Sequence, residues 1–140
     1  MGWLRKIFSK QKLLAPADLS VLYADMHSHF IPAIDDGSKS LEESVELIKA
    51  MKELGYQKII TTPHIMSDYY RNTPEIIYAG MQNVKEELSR KDIQIDFTAA
   101  AEYYLDYDFL QKIKDKKLLT LSGNYVLFEL PFISEPPNLH

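Results

Sequence analysis

No cysteine occurs among the 140 residues. That excludes disulfides, thiolate zinc sites and every mechanism with a cysteine nucleophile, and it fits a reducing compartment. Histidine is scarce too, at four residues. No apolar run is long enough to span a bilayer, and no internal repeat or low-complexity tract is present. A basic excess is also missing. The formal net charge is −4, so nothing global calls for nucleic acid, and no such partner is expected. The length suits one domain and falls well short of the roughly 250 residues of a closed eight-stranded α/β barrel. With 46% hydrophobic and 26% charged residues, the balance is that of a globular chain.

The charge is unevenly spread. The first twelve residues hold Arg5, Lys6, Lys10 and Lys12 and no acid, together with Trp3, Leu4, Ile7 and Phe8. Residues 1–19 read as a basic amphipathic arm, either loosely held or docked on an anionic membrane surface or a partner. Arg5 and Lys6 interrupt any signal-peptide core, and Lys6 occupies the Ser/Thr position of a myristoylation pattern. The expected setting is cytoplasmic, with peripheral membrane contact through the arm left open.

Beyond the arm, strand and helix patterns alternate. "SVLYADMH" (20–27) reads as a strand, followed by a loop through Pro32 and Gly37. "SLEESVELIKAMKELG" reads as a helix: Ser40 and Glu43 make a capping box, Leu41, Val45, Ile48 and Met51 recur at helical spacing, and Gly55 is a stop. "YQKIITTPHI" is a second strand. Thr73 and Pro74 open a second helix, with Ile77, Met81, Val84 and Leu88 on one stripe. "IQIDFTAAAEYY" is a third strand, "DYDFLQKIKDKKLL" a weaker third helix, and "GNYVLFELPF" a fourth strand. Such alternation predicts parallel strands with right-handed crossovers, with chemistry gathered beyond their carboxyl ends.

Each strand end carries a donor. The first has Asp25, His27 and His29, which share a face if the strand runs that far; two imidazoles so placed can hold one metal, with Asp25 orienting a ring. His64 closes the second strand, where a hydrogen-bonded loop histidine is the plainer alternative. Glu102 closes the third, after "TAAA", and is either solvated or partnered by a cation. Glu129 interrupts the apolar "YVLFELPF", where an edge-strand solvated face is the alternative. Asp35 and Asp36, in "DDGS", suit a turn before a helix. Together these donors outweigh their separate readings. Nitrogen and oxygen ligands without sulfur suit Mn, Fe, Zn or Mg. Clustered carboxylates repel one another unless cations or protons intervene. Paired metals activate water and clamp the oxygens of a phosphate ester. The residues point to a multinuclear metallohydrolase acting on phosphate esters.

The stretch from Asp25 to Phe132 resembles the PHP superfamily (polymerase and histidinol phosphatase), through "HSH" followed by "DDG", "TPH" and "AEYY". More narrowly it is similar to the manganese-dependent protein-tyrosine phosphatases of bacterial capsule and exopolysaccharide loci. The resemblance implies an α/β fold, the N-terminal part of a distorted seven-stranded (β/α) barrel with parallel strands and flanking helices. It implies up to three ions, manganese first and Fe, Zn or Mg as alternatives. His27 and His29 would hold the first, Glu102 would bridge it to a second bound by Glu129, and Asp36 and His64 would bind the third. A metal-bridging hydroxide would be the nucleophile, with no catalytic side chain. The implied substrate is a phosphotyrosine protein, with a bacterial tyrosine kinase as a partner.

The chain departs from that family in length. Relatives continue with a later histidine, an Asp-x-His pair and a phosphate-binding arginine. The expectation is therefore a partial barrel over residues 20–133 with a tail over 134–140, either a fragment or a shortened product. An unpaired last strand would favour association, including homo-oligomers. A non-catalytic module for protein or membrane association, and an enzyme for a small phosphate ester, remain as alternatives. Arg71, Tyr69 and Tyr70 lie in the loop after His64, where a phosphate contact, ring stacking and plain solvation are equally open.

Overall fold

The computed structural model describes residues 18–132. Residues 1–17 of the expected arm and the tail over 134–140 lie outside them. The end of the arm as expected is already folded in, since Leu19 N–H donates to the Leu54 carbonyl at 2.9 Å.

The first strand is shorter than expected. Ser20–Leu22 forms a single 3₁₀ turn, Tyr23 sits at φ 61°, and only Ala24–Asp25 (β1) joins a ladder. Left-handed backbone at Tyr23 cannot continue a strand, and its carbonyl instead accepts from Gln57 and Lys58 N–H. Helix α1 spans Leu41–Glu53. Ser40 Oγ accepts from Glu43 N–H at 3.2 Å, while the Glu43 carboxylate reaches past the cap to Lys39 N–H at 2.6 Å. Strands β2 (Lys58–Thr61) and β3 (His64–Ile65) follow, then α2 (Pro74–Arg90), capped by Thr73 with Pro74 in its first turn. Next come β4 (Asp96–Ala99), β5 (Glu102–Tyr104), α3 (Phe109–Lys114) and β6 (Leu127–Glu129).

All three helices end alike. The residue after each C-cap (Gly55 at φ 105°, Asp92 at 55°, Lys116 at 54°) turns left-handed. The next N–H then bonds back into the helix: Tyr56 to Met51, Ile93 to Leu88 and Lys117 to Lys112. These are Schellman closures. Only the first uses glycine, so nothing in the residue types foretold that α3 would stop short of the 106–119 span its sequence suggested. Lysine at the turning position carries no stop signal of its own.

Two of the four expected strands are each broken in two. Sheet order is β1-β2-β4 and β3-β5-β6, and every pairing is parallel. The break falls at Thr62-Pro63 and at Ala100-Ala101. Pro63 has no N–H to donate, and Thr62 N–H leaves the ladder for the Ser28 carbonyl. Register nevertheless carries across. Thr61 faces Ala99 and His64 faces Glu102 at the same offset, and Ala100 and Glu102 N–H still reach Thr61 and Pro63 carbonyls. The chain thus lays four parallel segments side by side in sequence order, the middle two shared by both sheets.

Helices α1 and α2 pack together and bury Val45, Ile48, Ile77, Met81, Val84 and Leu88 against Ile59, Phe97, Tyr103 and Phe109. Ser40→Ala removes the acceptor for a helix N–H and is expected to cost about 1 kcal/mol. Urea unfolding should show a lower midpoint with unchanged slope. Lys116→Gly, which frees the left-handed closure of its Cβ, should raise the midpoint.

Candidate metal centre

The second sheet sets three donors on one face. His64 of β3 lies opposite Glu102 of β5, and Glu129 of β6 lies two residues beyond Leu127, the partner of Glu102. The two-residue period of a strand therefore aims all three the same way.

His27 and His29 arrive from a loop, not from the strand, because β1 stops at Asp25. The loop is tied to β2 by the Ser28 carbonyl, which accepts from Thr62 N–H at 2.6 Å and Thr61 Oγ1 at 2.8 Å, and by Phe30 N–H, which donates to Thr61 Oγ1 at 2.9 Å. Ser38 N–H donates to the His29 carbonyl at 3.1 Å. Gly37 lies so close to His29 that a Cβ would run into that carbonyl. Glycine is needed there for proximity.

The donors converge. Glu102 Oε2 lies 3.2 Å from His64 Nδ1, 3.3 Å from His29 Nε2 and 3.9 Å from His27 Nε2. His64 Nδ1 is also 3.8 Å from Glu129 Oε2, and His64 Nε2 is 3.7 Å from Asp36 Oδ1. All six candidate residues line one cleft of about 450 Å³. Within it, His27/His29/Glu102, His29/Asp36/His64 and His64/Glu102/Glu129 each bring three ligand atoms within 4.8 Å of one another.

The residues fit divalent cations. His64 Nδ1 is buried yet has no hydrogen-bond partner, while two carboxylate oxygens face it. A buried polar atom so placed is costly unless a proton or a cation joins it to those oxygens. His29 is committed at one end. Its Nδ1 lies 2.9 Å from Asp35 Oδ2, which leaves Nε2 for Glu102 and the first group. The second group is then left with Asp36 and His64.

Two supporting residues escaped the sequence reading. The Asp35 side chain is buried and accepts from His29 Nδ1, Gly37 N–H at 3.0 Å and His64 N–H at 3.1 Å. Thr62 Oγ1 lies 2.7 Å from His27 Nδ1. Asp25, expected to orient a ring, does not; its Oδ2 is buried without a partner. The "DDG" triplet signalled a turn and concealed that its first aspartate points inward. For Thr62 the sequence offered no signal.

Electrostatics follow these contacts. Burial opposes charge on His29, but the hydrogen bond and charge of Asp35, with Glu102 and Asp36 nearby, outweigh it and raise the imidazole above its ordinary value. Burial likewise works against ionised Asp35, yet its bonds from His29, Gly37 and His64 hold it below the usual carboxylate range. The Tyr70 phenol is raised by burial first and by the Asp36 charge second. Its ring lies flat against His64, with centroids 5.4 Å apart and planes 10° apart.

Residues 23–138 match the family model described as "Capsular polysaccharide synthesis, CpsB/CapC". The chain belongs to the CpsB/CapC family. Similar proteins include Tyrosine-protein phosphatase YwqE of Bacillus subtilis, 30% identical over 80% of this chain and 44% of its own length. Tyrosine-protein phosphatase CpsB of Streptococcus pneumoniae is 31% identical over 83% of this chain and 48% of its own. The fold resembles a chain from the crystal structures of YwqE and CpsB, described as unique metal-dependent tyrosine phosphatases, with TM-score 0.71 and 30% identity over 78% of this chain and 44% of that one. This CpsB/CapC chain therefore spans less than half the length of the relatives it matches. Its architecture is the expected α/β one, with parallel strands and flanking helices.

The Asp35–His29 pair makes a pH-dependent prediction for the ion-free chain. The raised His29 contributes stability below about pH 6.5, lost as pH rises through its folded value. The lowered Asp35 contributes stability above about pH 4, lost as pH falls through its folded value. Thermal unfolding in EDTA should show both limbs. Asp35→Ala should flatten them and cost about 3 kcal/mol.

Proposed function

We propose that the protein is a manganese-dependent phosphatase of phosphotyrosine proteins acting in capsule or exopolysaccharide synthesis. The observation that carries this reading is the convergence of three imidazoles on one buried carboxylate oxygen, Glu102 Oε2, with Glu129 and Asp36 on either side. The metal-dependent tyrosine phosphatases among its relatives supply the substrate class. The natural partner is then a bacterial tyrosine kinase, and the setting is the cytoplasm, where ATP makes phosphotyrosine.

His27, His29 and Glu102 would hold one ion, Glu102 and Glu129 a second, and Asp36 and His64 a third. Bound cations would neutralise the phosphate dianion and activate a water for attack on phosphorus. The chain's own residues prepare that chemistry. Asp35 fixes the proton of His29 on Nδ1 and so aims a bare Nε2 into the cleft. Thr62 holds the His27 ring in place through its Nδ1, and its hydroxyl can serve that nitrogen as donor or acceptor. Tyr70 covers one face of the His64 ring and keeps water from that side.

A second reading has its own support. Tyr125, Phe128, Leu130 and Phe132, in and around β6, are exposed apolar residues beside a strand edge, which suits association.

Calorimetry with Mn²⁺ and hydrolysis of p-nitrophenyl phosphate and of a phosphotyrosine peptide separate the two. The first reading expects Mn²⁺ binding weakened more than about tenfold by Glu102→Gln, and hydrolysis stopped by EDTA and restored by Mn²⁺. Hydrolysis that survives EDTA after dialysis would overturn it. Stable oligomers in sedimentation with no turnover would favour the second.

A further inference from the structure

Two aromatic rings stand beside His64 of the metal cleft and serve no core. Tyr70 lies flat on His64, and Tyr69 meets Tyr70 edge-on, with centroids 4.7 Å apart and planes 82° apart. Tyr69 is 75% exposed. Exposed tyrosines are common, and one on a loose loop would mean little.

This loop is pinned on several sides. Met66 N–H donates to the Tyr70 carbonyl at 2.8 Å, closing a tight turn around Tyr69. Ser67 N–H donates to Asp106 at 2.8 Å and Ser67 Oγ to Asp108 at 3.1 Å. Asn72 Nδ2 donates to the His64 carbonyl at 2.8 Å and to the Ile34 carbonyl at 3.0 Å. Bonds to two other segments, at Asp106 and Asp108 and at Ile34, therefore hold the loop with a ring outward, two ring contacts from His64. The entropy of ordering that aromatic surface is met by the fold before any ligand arrives. An ester group that leaves the cleft on the His64 side would meet these rings, and an aryl group gains from stacking where an alkyl group does not.

We propose that Tyr69, backed by Tyr70, is the subsite for the ring of an aryl phosphomonoester and selects aryl over alkyl phosphates. The inference rests on reading the cleft as a metal-dependent phosphatase site, and it assigns the specificity of that site to this loop. Tyr69 is a specificity residue and takes no part in bond breaking.

Affinity for two non-hydrolysable probes tests it, measured by calorimetry on the full chain loaded with Mn²⁺. Phenylphosphonate should bind about fivefold tighter than methylphosphonate, the size of one aromatic pair. Tyr69→Ala should erase most of that preference and leave methylphosphonate unchanged, while Tyr69→Phe should keep it. Because Tyr69 is exposed, both variants should unfold at the wild-type temperature. A preference that survives Tyr69→Ala, or no preference in the wild type with methylphosphonate bound, overturns the subsite and leaves the phosphatase reading standing. Binding of neither phosphonate overturns both.

Discussion

One buried carboxylate ties the site to the fold. Asp35 receives a bond from a side chain, His29, and from two main-chain groups, Gly37 and His64, which belong to separate stretches of chain. An ionised carboxylate without such donors would cost several kcal/mol in that position. The three bonds therefore act as a condition on geometry: the loop after β1, the turn at Gly37 and the start of β3 are satisfied together or not at all. Among the described residues no other single group is hydrogen-bonded to both His29 and His64. Gly37 shares the constraint from the steric side, because its closeness to the His29 backbone leaves no room for a side chain.

The break in the middle strands has a comparable consequence. Where Thr62-Pro63 and Ala100-Ala101 leave the ladder, the freed Thr62 N–H and the Thr61 hydroxyl turn to hold the Ser28 carbonyl. A regular strand would have spent the Thr62 N–H on its neighbour. The interruption gives the histidine loop its anchor, and the preserved register still delivers His64 opposite Glu102. The same four residues that divide the sheet thus make room for the loop and keep the ligand pair aligned.

The sequence disclosed the residues that meet in the cleft better than their supports. His27, His29, His64, Glu102 and Glu129 stood out because polar groups at the ends of apolar strands are expensive without a partner, and that cost is visible residue by residue. Asp35 was ambiguous, since the Asp-Asp-Gly triplet is equally good turn chemistry. Thr62 was silent, because a β-branched residue within a strand needs no further reason. Strand and helix order was legible from periodicity; lengths were not. β1 is cut short by left-handed backbone at Tyr23, and α3 by a left-handed lysine, and neither residue type advertises that conformation. At Tyr23 the carbonyl is taken by long-range bonds from Gln57 and Lys58 that a local pattern does not contain, and at Lys116 the closure is local but its residue type leaves no mark.

The three donor groups are unequally prepared. His29 and His64 each belong to two of them, and an imidazole ring serves two cations at once only by losing both its protons. For His29 the conflict is resolved internally: Asp35 takes Nδ1, so Nε2 joins His27 and Glu102. Thr62 Oγ1 holds the His27 ring by Nδ1 without fixing which nitrogen carries the proton, because a hydroxyl donates as well as accepts. Of the first group, His29 alone has its proton placed before an ion arrives. His64 has no such side-chain partner, its Nδ1 lying between Glu102 and Glu129 and its Nε2 near Asp36. Its choice of nitrogen depends on which neighbouring carboxylate is already neutralised. A cation among His27, His29 and Glu102 would draw charge from Glu102, the carboxylate nearest His64 Nδ1, and so would weaken the pull on that nitrogen relative to Asp36 on the other side. His29 is thus the imidazole best prepared by the fold, and His64 the one left uncommitted between its neighbouring carboxylates.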